Sequence, residues 1–428
     1  MAHPLRIAVV GGGPAGSFFT LWALHYAAQA GRAVEVELFE PRDFSRPGAP
    51  GCNMCAGIIP GGVPRELRAL DLPVPSGLLV GELGAYVLHT GAGSLRVTMA
   101  DPEAHVAAVF RGNGPGPGSP PGPLSFDGFL LAEAERRGAR VVRERVVEIS
   151  ARPLRWVRTP SDLYMTDLLV LATGVNGGGV EIRGTPYVPP PTESMAQGEV
   201  LVGEAEVRGR LGSAIHVFLP RTAPVLFGTL VPKGAFVSVC LLGRGLGRRA
   251  IGEFLALDEV RELLPEGSRQ VCGCRPRIAV GPGRPLFDDG FVAVGDAGVT
   301  RLYKNGVGTA LATARQAAET AIRHGVGAEA FRRHYAPLCR RIQRDNRYGR
   351  VLFAVAGVLL RRFLTAPGAI LVAGERGDAS GAQAQGRILW GLLTGSDPYE
   401  VIFRMLLGLV LRPGRPASPC RRQPTGAG

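Results

Sequence analysis

Gly11, Gly13 and Gly16 stand in the order Gly-x-Gly-x-x-Gly, and a carboxylate, Glu40, follows 24 residues after the last of them. Those residue types at that spacing can hold a dinucleotide. Gly11 permits a tight turn, Gly13 lets the backbone approach a pyrophosphate, and Gly16 lets a helix lie close on a strand. Pro14 and Ala15 complete the loop. The N–H groups and positive dipole end of the following helix favour the phosphates. Glu40 can accept hydrogen bonds from both hydroxyls of a ribose. A second set lies near the other end of the chain: Gly295-Asp296-Ala297 and, a few residues on, Gly306-Val307-Gly308. Asp296 can accept from the ribityl chain of a flavin. A helix opening at Gly306 would point its N-terminus at the second phosphate or at the N1–C2=O edge of the flavin ring.

These groups need elements to position them. Residues 5–10 form a short apolar run of buried-strand type, 14–30 a helix with Pro14 in its first turn, and Val34–Phe39 a second strand ending at Glu40, together a βαβ unit. Leu168–Leu171 and Phe291–Val294 are further buried-strand runs, each followed by glycine. The chain is therefore expected to leave the nucleotide domain and return to it. Residues 127–137 read as a helix with Asp127 as N-cap. Segments 80–99 and 196–243 (GEVLVGEAEVRG, AIHVFLP, VLFGTLVP, AFVSVCLLG) read as strands of an antiparallel sheet. The Gly/Pro run at 112–123 reads as a surface loop, and the last hundred residues as mainly helical. The fold class is α/β (α+β overall): a Rossmann-like nucleotide domain (1–72, 100–180, 285–345), an interleaved antiparallel-sheet substrate domain (73–99, 181–284), a helical region (346–411) and a disordered tail (412–428).

Composition narrows the partners. Net charge is +13, and 47 of the 49 basic residues are arginine; the two lysines, Lys233 and Lys304, both fall beside motifs. A basic surface suits phosphates or anionic lipid. No zinc-finger spacing, basic heptad helix or aromatic RNA-binding signature is present, so no nucleic acid is expected. Seven cysteines, an odd number in a long chain, argue against a secreted disulfide framework, and the N-terminus runs straight into a strand, so the cytoplasm is expected. The apolar stretches 351–360 and 401–411 are shorter than the ~20 residues a bilayer span needs. With flanking arginines they suit a helical cap or peripheral contact with the inner face of an anionic membrane.

The motifs GGGPAGS and GDAG-V…GVG resemble those of the para-hydroxybenzoate hydroxylase superfamily of flavoproteins. Within it the chain is most similar to the geranylgeranyl reductase family. Cys55-Ala56-Gly57-Ile58-Ile59-Pro60 is similar to the family's Cys-Gly-Gly-x-Ile-Pro, and Phe227-Gly228-Thr229-Leu230-Val231-Pro232-Lys233 to its Tyr-x-Trp-x-Phe-Pro-Lys, with Thr229 and Val231 in place of Trp and Phe. Phe126-Asp127-x-x-Leu130 with Gly138-Ala139 is similar to the superfamily's Arg…Phe-Asp-x-x-Leu…Gly-Ala helix, Arg111 standing for the arginine. The resemblance implies FAD as cofactor, with Arg111 and Gly174 beside it. It further implies Cys55 facing flavin and substrate, Phe227, Pro232 and Lys233 at the substrate, and Lys304 as a cation near the reacting centre.

The implied reaction is hydride transfer from reduced flavin to a carbon–carbon double bond of a polyprenyl-type lipid, with NADPH, ferredoxin or another donor supplying electrons. The alternatives are a flavin monooxygenase and a non-catalytic redox sensor. Two features bear on them. The superfamily's hydroxylases carry Gly-Ala-Asp-Gly after the middle strand, whereas this chain reads Ala172-Thr173-Gly174-Val175, without the acid implicated in NADPH docking. The tryptophans Trp22, Trp156 and Trp390 form no Trp-x-Trp, which disfavours a halogenase. Cys52 and Cys55 make a C-x-x-C that suits a redox pair or reduced thiols. Cys272-x-Cys274 is unusual zinc spacing, so no metal is expected.

Overall fold

The computed structural model describes residues 3–54, 56–90, 93–99, 101–115, 125–219, 225–243, 245–363 and 379–411. The Gly/Pro run from 116 on, Cys55 and the tail beyond 411 lie outside the described residues.

Two sheets carry the molecule. The first has six strands in the order 287–288, 291–293, 168–171, 5–10, 34–39, 140–142, and all but the first pair run parallel. Its central strands are continuous apolar runs, as burial on both faces requires. Helix Pro14–Ala30 and helix Gly306–Glu319 pack together on one face, with Phe18, Phe19, Leu21, Ala314 and Ala317 among the buried core. Ile149, Val157 and Tyr164 of a four-stranded sheet (163–165, 156–158, 148–150, 181–183) pack on the other. Strand order reverses between 168–171 and 5–10. The crevice at such a switch point, at the carboxyl ends of the strands, is where open α/β sheets bind ligands.

The second sheet has eight strands, built from 85–98 and 192–279. It departs from the sequence reading in two places. GEAEVRG does not extend a strand: Glu204–Arg210 is a helix, tied by i,i+4 pairs Glu204–Arg208 and Glu206–Arg210. The sheet is also mixed, because Ala214–Phe218 pairs parallel with Ala85–Thr90 across the domain's two separate chain segments. Alternation alone does not encode direction. His216 Nδ1 and His89 Nε2 lie 2.9 Å apart across that seam, and burial pulls His216 down to about 4.

A further correction concerns the third helix, Phe126–Arg136. Its N-cap is Ser125, whose Oγ accepts from Gly128 N at 3.0 Å, and Asp127 is fully buried instead. Helix Gly306–Glu319 continues into a π-type turn, Thr320–His324. The C-terminal region folds as helices 328–334, 336–363, 379–394 and 399–411. Helix Ala379–Thr394 docks on the second sheet, with Trp390 buried edge-on to Tyr86 at 5.4 Å. Val351, Val355 and Leu407 are exposed, and among the described residues no helix is long and apolar enough to cross a membrane.

Lys233 is the most buried charge of the second sheet, at 1% exposure. Its Nζ pairs with Glu199 Oε1 at 3.2 Å, Ser238 Oγ donates to the same carboxylate, and the ammonium lies 4.8 Å from the Phe110 ring. Removing one partner of such a pair strands the other. Lys233→Ala is expected to cost ~3–5 kcal/mol in urea unfolding, and Lys233→Ala with Glu199→Gln much less. Because the unfolded state binds protons at His216 near its ordinary 6.5 and the folded state only near 4, stability from this group is full above 6.5 and falls as pH drops between them. Melting temperatures of His216→Gln are expected to fall less steeply than the parent's over that window.

Candidate functional site

Everything at the site depends on how closely backbone meets backbone around Gly11. This residue sits at φ 108°, and a Cβ there would lie 2.6 Å from the Ala172 carbonyl oxygen. A Cβ on Gly16 would fall 1.8 Å from Gly11 O. Only glycine allows the first helix to start this low on the sheet. Gly13 caps that helix with no side-chain hydrogen bond, so the first-turn N–H groups are left facing the cleft.

The cleft is continuous, holds about 330 Å³, and lies at the switch point between the two sheets. That volume falls within the range of small-molecule sites. Gly11, Gly13, Pro14, Ala15, Glu40, Arg111, Gly174, Asp296, Gly306 and Val307 line it, as do Phe227 and Lys304. Three further motif glycines stand behind the wall. Gly16 packs as described. Gly295, at φ 59°, meets Ala15: a Cβ there would come within 2.6 Å of the Ala15 methyl. Gly308 gives its N–H to Asn305 Oδ1 at 3.0 Å, so it caps its own helix and offers nothing to a ligand. Pro232 and Lys233 do not line the cleft, since the lysine turns into its pair with Glu199. Cys55 lies outside the described residues, whereas Ala56, Ile58 and Pro60 of the same segment border the cleft. A larger, more open depression of about 640 Å³ beside Leu255–Gln270 gathers none of the motif residues.

At the nucleotide end, Glu40 is buried and accepts from Gly12 N and Arg42 N, each at 3.0 Å. Burial raises its carboxyl above the usual range, with the Arg42 backbone N–H the largest opposing effect. Arg111 forks onto Asp127, Asn53 Nδ2 donates to the same carboxylate, and Arg42 bonds Asn53 Oδ1. This charged lattice borders the first helix's N-terminus. Burial likewise raises Asp296, partly offset by Thr300 and Arg111.

At the far end the cleft is walled by Tyr86, Ile215, Phe227, Thr229 and Cys240 from the second sheet and by Leu393 and Thr394 from the C-terminal helix. Of these wall residues only Phe227 was expected at the substrate; Tyr86, Ile215, Thr229, Cys240, Leu393 and Thr394 went unread because they come from separate segments. Asn176, just after the middle strand, grips the Arg277 backbone through both amide atoms at 2.8–2.9 Å. Among the described residues no group of three or more His, Cys, Asp or Glu could hold a metal ion.

The parts fit a dinucleotide flavin. The uncapped helix end and Gly13 match a pyrophosphate, Glu40 a ribose, and the Asp296 turn a polar chain running toward the second sheet. FAD is thus the group whose shape the donor set follows.

No protein-family model and no curated protein matches the chain. Solved structures do. A flavoprotein/dehydrogenase from Cytophaga hutchinsonii superposes with a TM-score of 0.64 at 14% identity, covering 95% of this chain and 100% of that one. A flavin-dependent brominase gives 0.61 at 14% identity over 96% and 100%. The p-nitrophenol 4-monooxygenase of Pseudomonas putida DLL-E4 gives 0.55 at 14% identity over 97% and 100%. At these identities the likeness is one of fold, and it extends over at least 95% of the chain.

Proposed function

We propose that the chain is an FAD-dependent oxidoreductase acting on a small, largely apolar molecule held between the flavin and the second sheet, with monooxygenation as its reaction. The observation that carries this is the single cleft joining the Gly11–Gly16 loop, Glu40 and the Asp296 turn to the chamber of Phe227, Thr229, Cys240 and Tyr86. Bound FAD would supply the redox chemistry, carrying two electrons from an external donor to dioxygen, one atom of which enters the substrate while the other leaves as water. The chain's own residues bind and orient. Glu40 receives the ribose hydroxyls. The first helix and the Arg42–Asn53–Asp127–Arg111 lattice hold the phosphates, and Asp296 holds the ribityl chain. Leu393, Thr394, Tyr86 and Phe227 keep bulk water from the reacting end. The likeness in fold to a monooxygenase and to a brominase supports oxygen chemistry over double-bond reduction.

Reduction of a polyprenyl-type double bond is the second reading. One observation favours it: Ala56, Ile58 and Pro60, from the segment that resembles the geranylgeranyl reductases, border the chamber. NAD(P)H or a small electron carrier such as ferredoxin is the proposed donor for either reaction.

Gly13→Ala tests the cofactor. A Cβ at Gly13 meets nothing closer than Asn53 Nδ2 at 3.3 Å, so the variant should fold, yet the methyl enters the phosphate end of the cleft. FAD affinity by fluorescence quenching is expected to drop by roughly tenfold or more. Unchanged affinity would remove the cofactor assignment. The reaction is read by supplying the reduced holoenzyme with oxygen-18 gas and a panel of phenols and prenyl lipids. Heavy oxygen in the organic product is the expected result; product gaining only hydrogen, and gaining it without air, would establish the reductase instead.

A further inference from the structure

The two lysines of the chain have opposite surroundings. Lys233 is neutralised by Glu199. Lys304 projects from a turn between two left-handed residues, Tyr303 (φ 61°) and Asn305 (φ 57°), with its own N–H bonded to Leu302 O at 2.8 Å. Gly395 backs the turn: a Cβ added there would lie 3.0 Å from Lys304 Cβ. Backbone on both sides therefore fixes where the side chain leaves. It reaches across the cleft to the second sheet, where Nζ sits 4.6 Å from the centre of the Phe227 ring. Among the described residues the Lys304 ammonium has no carboxylate partner; besides the ring, its electrostatic neighbour is the Cys240 thiol. The ring face attracts a cation but accepts no full hydrogen bond, so the charge is left short of partners in a walled space.

Two of the arginines of this wall are engaged. Arg301 donates to the carbonyls of Gly395 and Asp397, faces Asp345 at 3.9 Å and stacks 4.0 Å over Tyr399. Arg111 is held by Asp127. Burial pulls Lys304 down to about 8, which leaves it mostly protonated at neutral pH. An oxidised flavin ring is neutral and brings no counter-charge, and the FAD phosphates belong to the Gly11–Gly13 end.

We infer that Lys304 is a specificity-determining residue that recognises a single carboxylate or phenolate on an otherwise apolar substrate. The inference rests on the flavin reading for what happens to that substrate, but not for its binding. One ammonium set over an aromatic ring matches one negative charge, not a diphosphate. Phe227, Ile215 and Tyr86 would cover the apolar part.

The test uses oxidised holoenzyme, with bound FAD read from its visible absorbance, and isothermal calorimetry with 2-naphthoate and its neutral isostere 2-naphthamide. Absence of flavin would strike the functional reading alone, since calorimetry on the same protein still reports on Lys304. The parent is expected to bind the acid at least roughly tenfold tighter than the amide. Lys304→Met should erase that preference and Lys304→Arg keep it. Because Lys304→Met removes an uncompensated charge, the variant should melt no lower than the parent without probe. Equal binding of acid and amide, binding of neither, or a preference surviving in Lys304→Met would each overturn the inference.

Discussion

One backbone crossing governs the molecule. The first helix begins directly on the first strand because Gly16 carries no side chain and Gly11 turns away from Ala172. With a Cβ at either position the helix must rise off the sheet, and its N-terminus would no longer face the carboxyl edge. The helix end, Glu40 and the Asp296 turn come together only because that spacing is kept. Gly295 extends the same constraint to the other end of the chain, since its turn presses on Ala15.

The second sheet completes what the first begins. Its two chain segments are joined by the parallel seam between Ala85–Thr90 and Ala214–Phe218, and this seam places Tyr86 and Ile215 side by side in the cleft wall. Helix Ala379–Thr394 then closes the wall through Trp390, Leu393 and Thr394. The helical region expected as a cap or a membrane-facing surface thus contributes to the chamber itself. Inside this frame the buried charges divide into two kinds. Lys233, Arg111 and Arg301 are matched by carboxylates and hold elements together. Lys304 is left to the space between them.

Local chemistry made much of this legible. Glycine at fixed offsets after an apolar run, an acid at the end of the next strand, and a second Gly-Asp after a late buried strand each encode a local shape. Strands 5–10, 34–39 and 168–171 and helices 14–30 and 306–319 follow from them. The limits were local too. Asp127 has the chemistry of an N-cap, but its neighbour Ser125 took that role once Arg111 and Asn53 claimed the carboxylate. Lys233 beside a Pro and a Gly reads as a turn cation, and only the strand opposite, carrying Glu199, shows it to be internal.

The sequence by itself therefore determined the nucleotide end of this protein, because phosphate and ribose are recognised by backbone shape and one carboxylate within forty residues. At the other end a resemblance singled out Phe227 and Lys304, and tertiary structure decided which residues join them. The chamber draws Tyr86, Ile215, Phe227, Cys240, Lys304 and Leu393 from segments hundreds of residues apart, and no local pattern records which side chains will share a wall. The charge on Lys304 follows the same rule: whether a lysine is paired depends on what the fold brings opposite it, and here the fold brings an aromatic ring and a thiol.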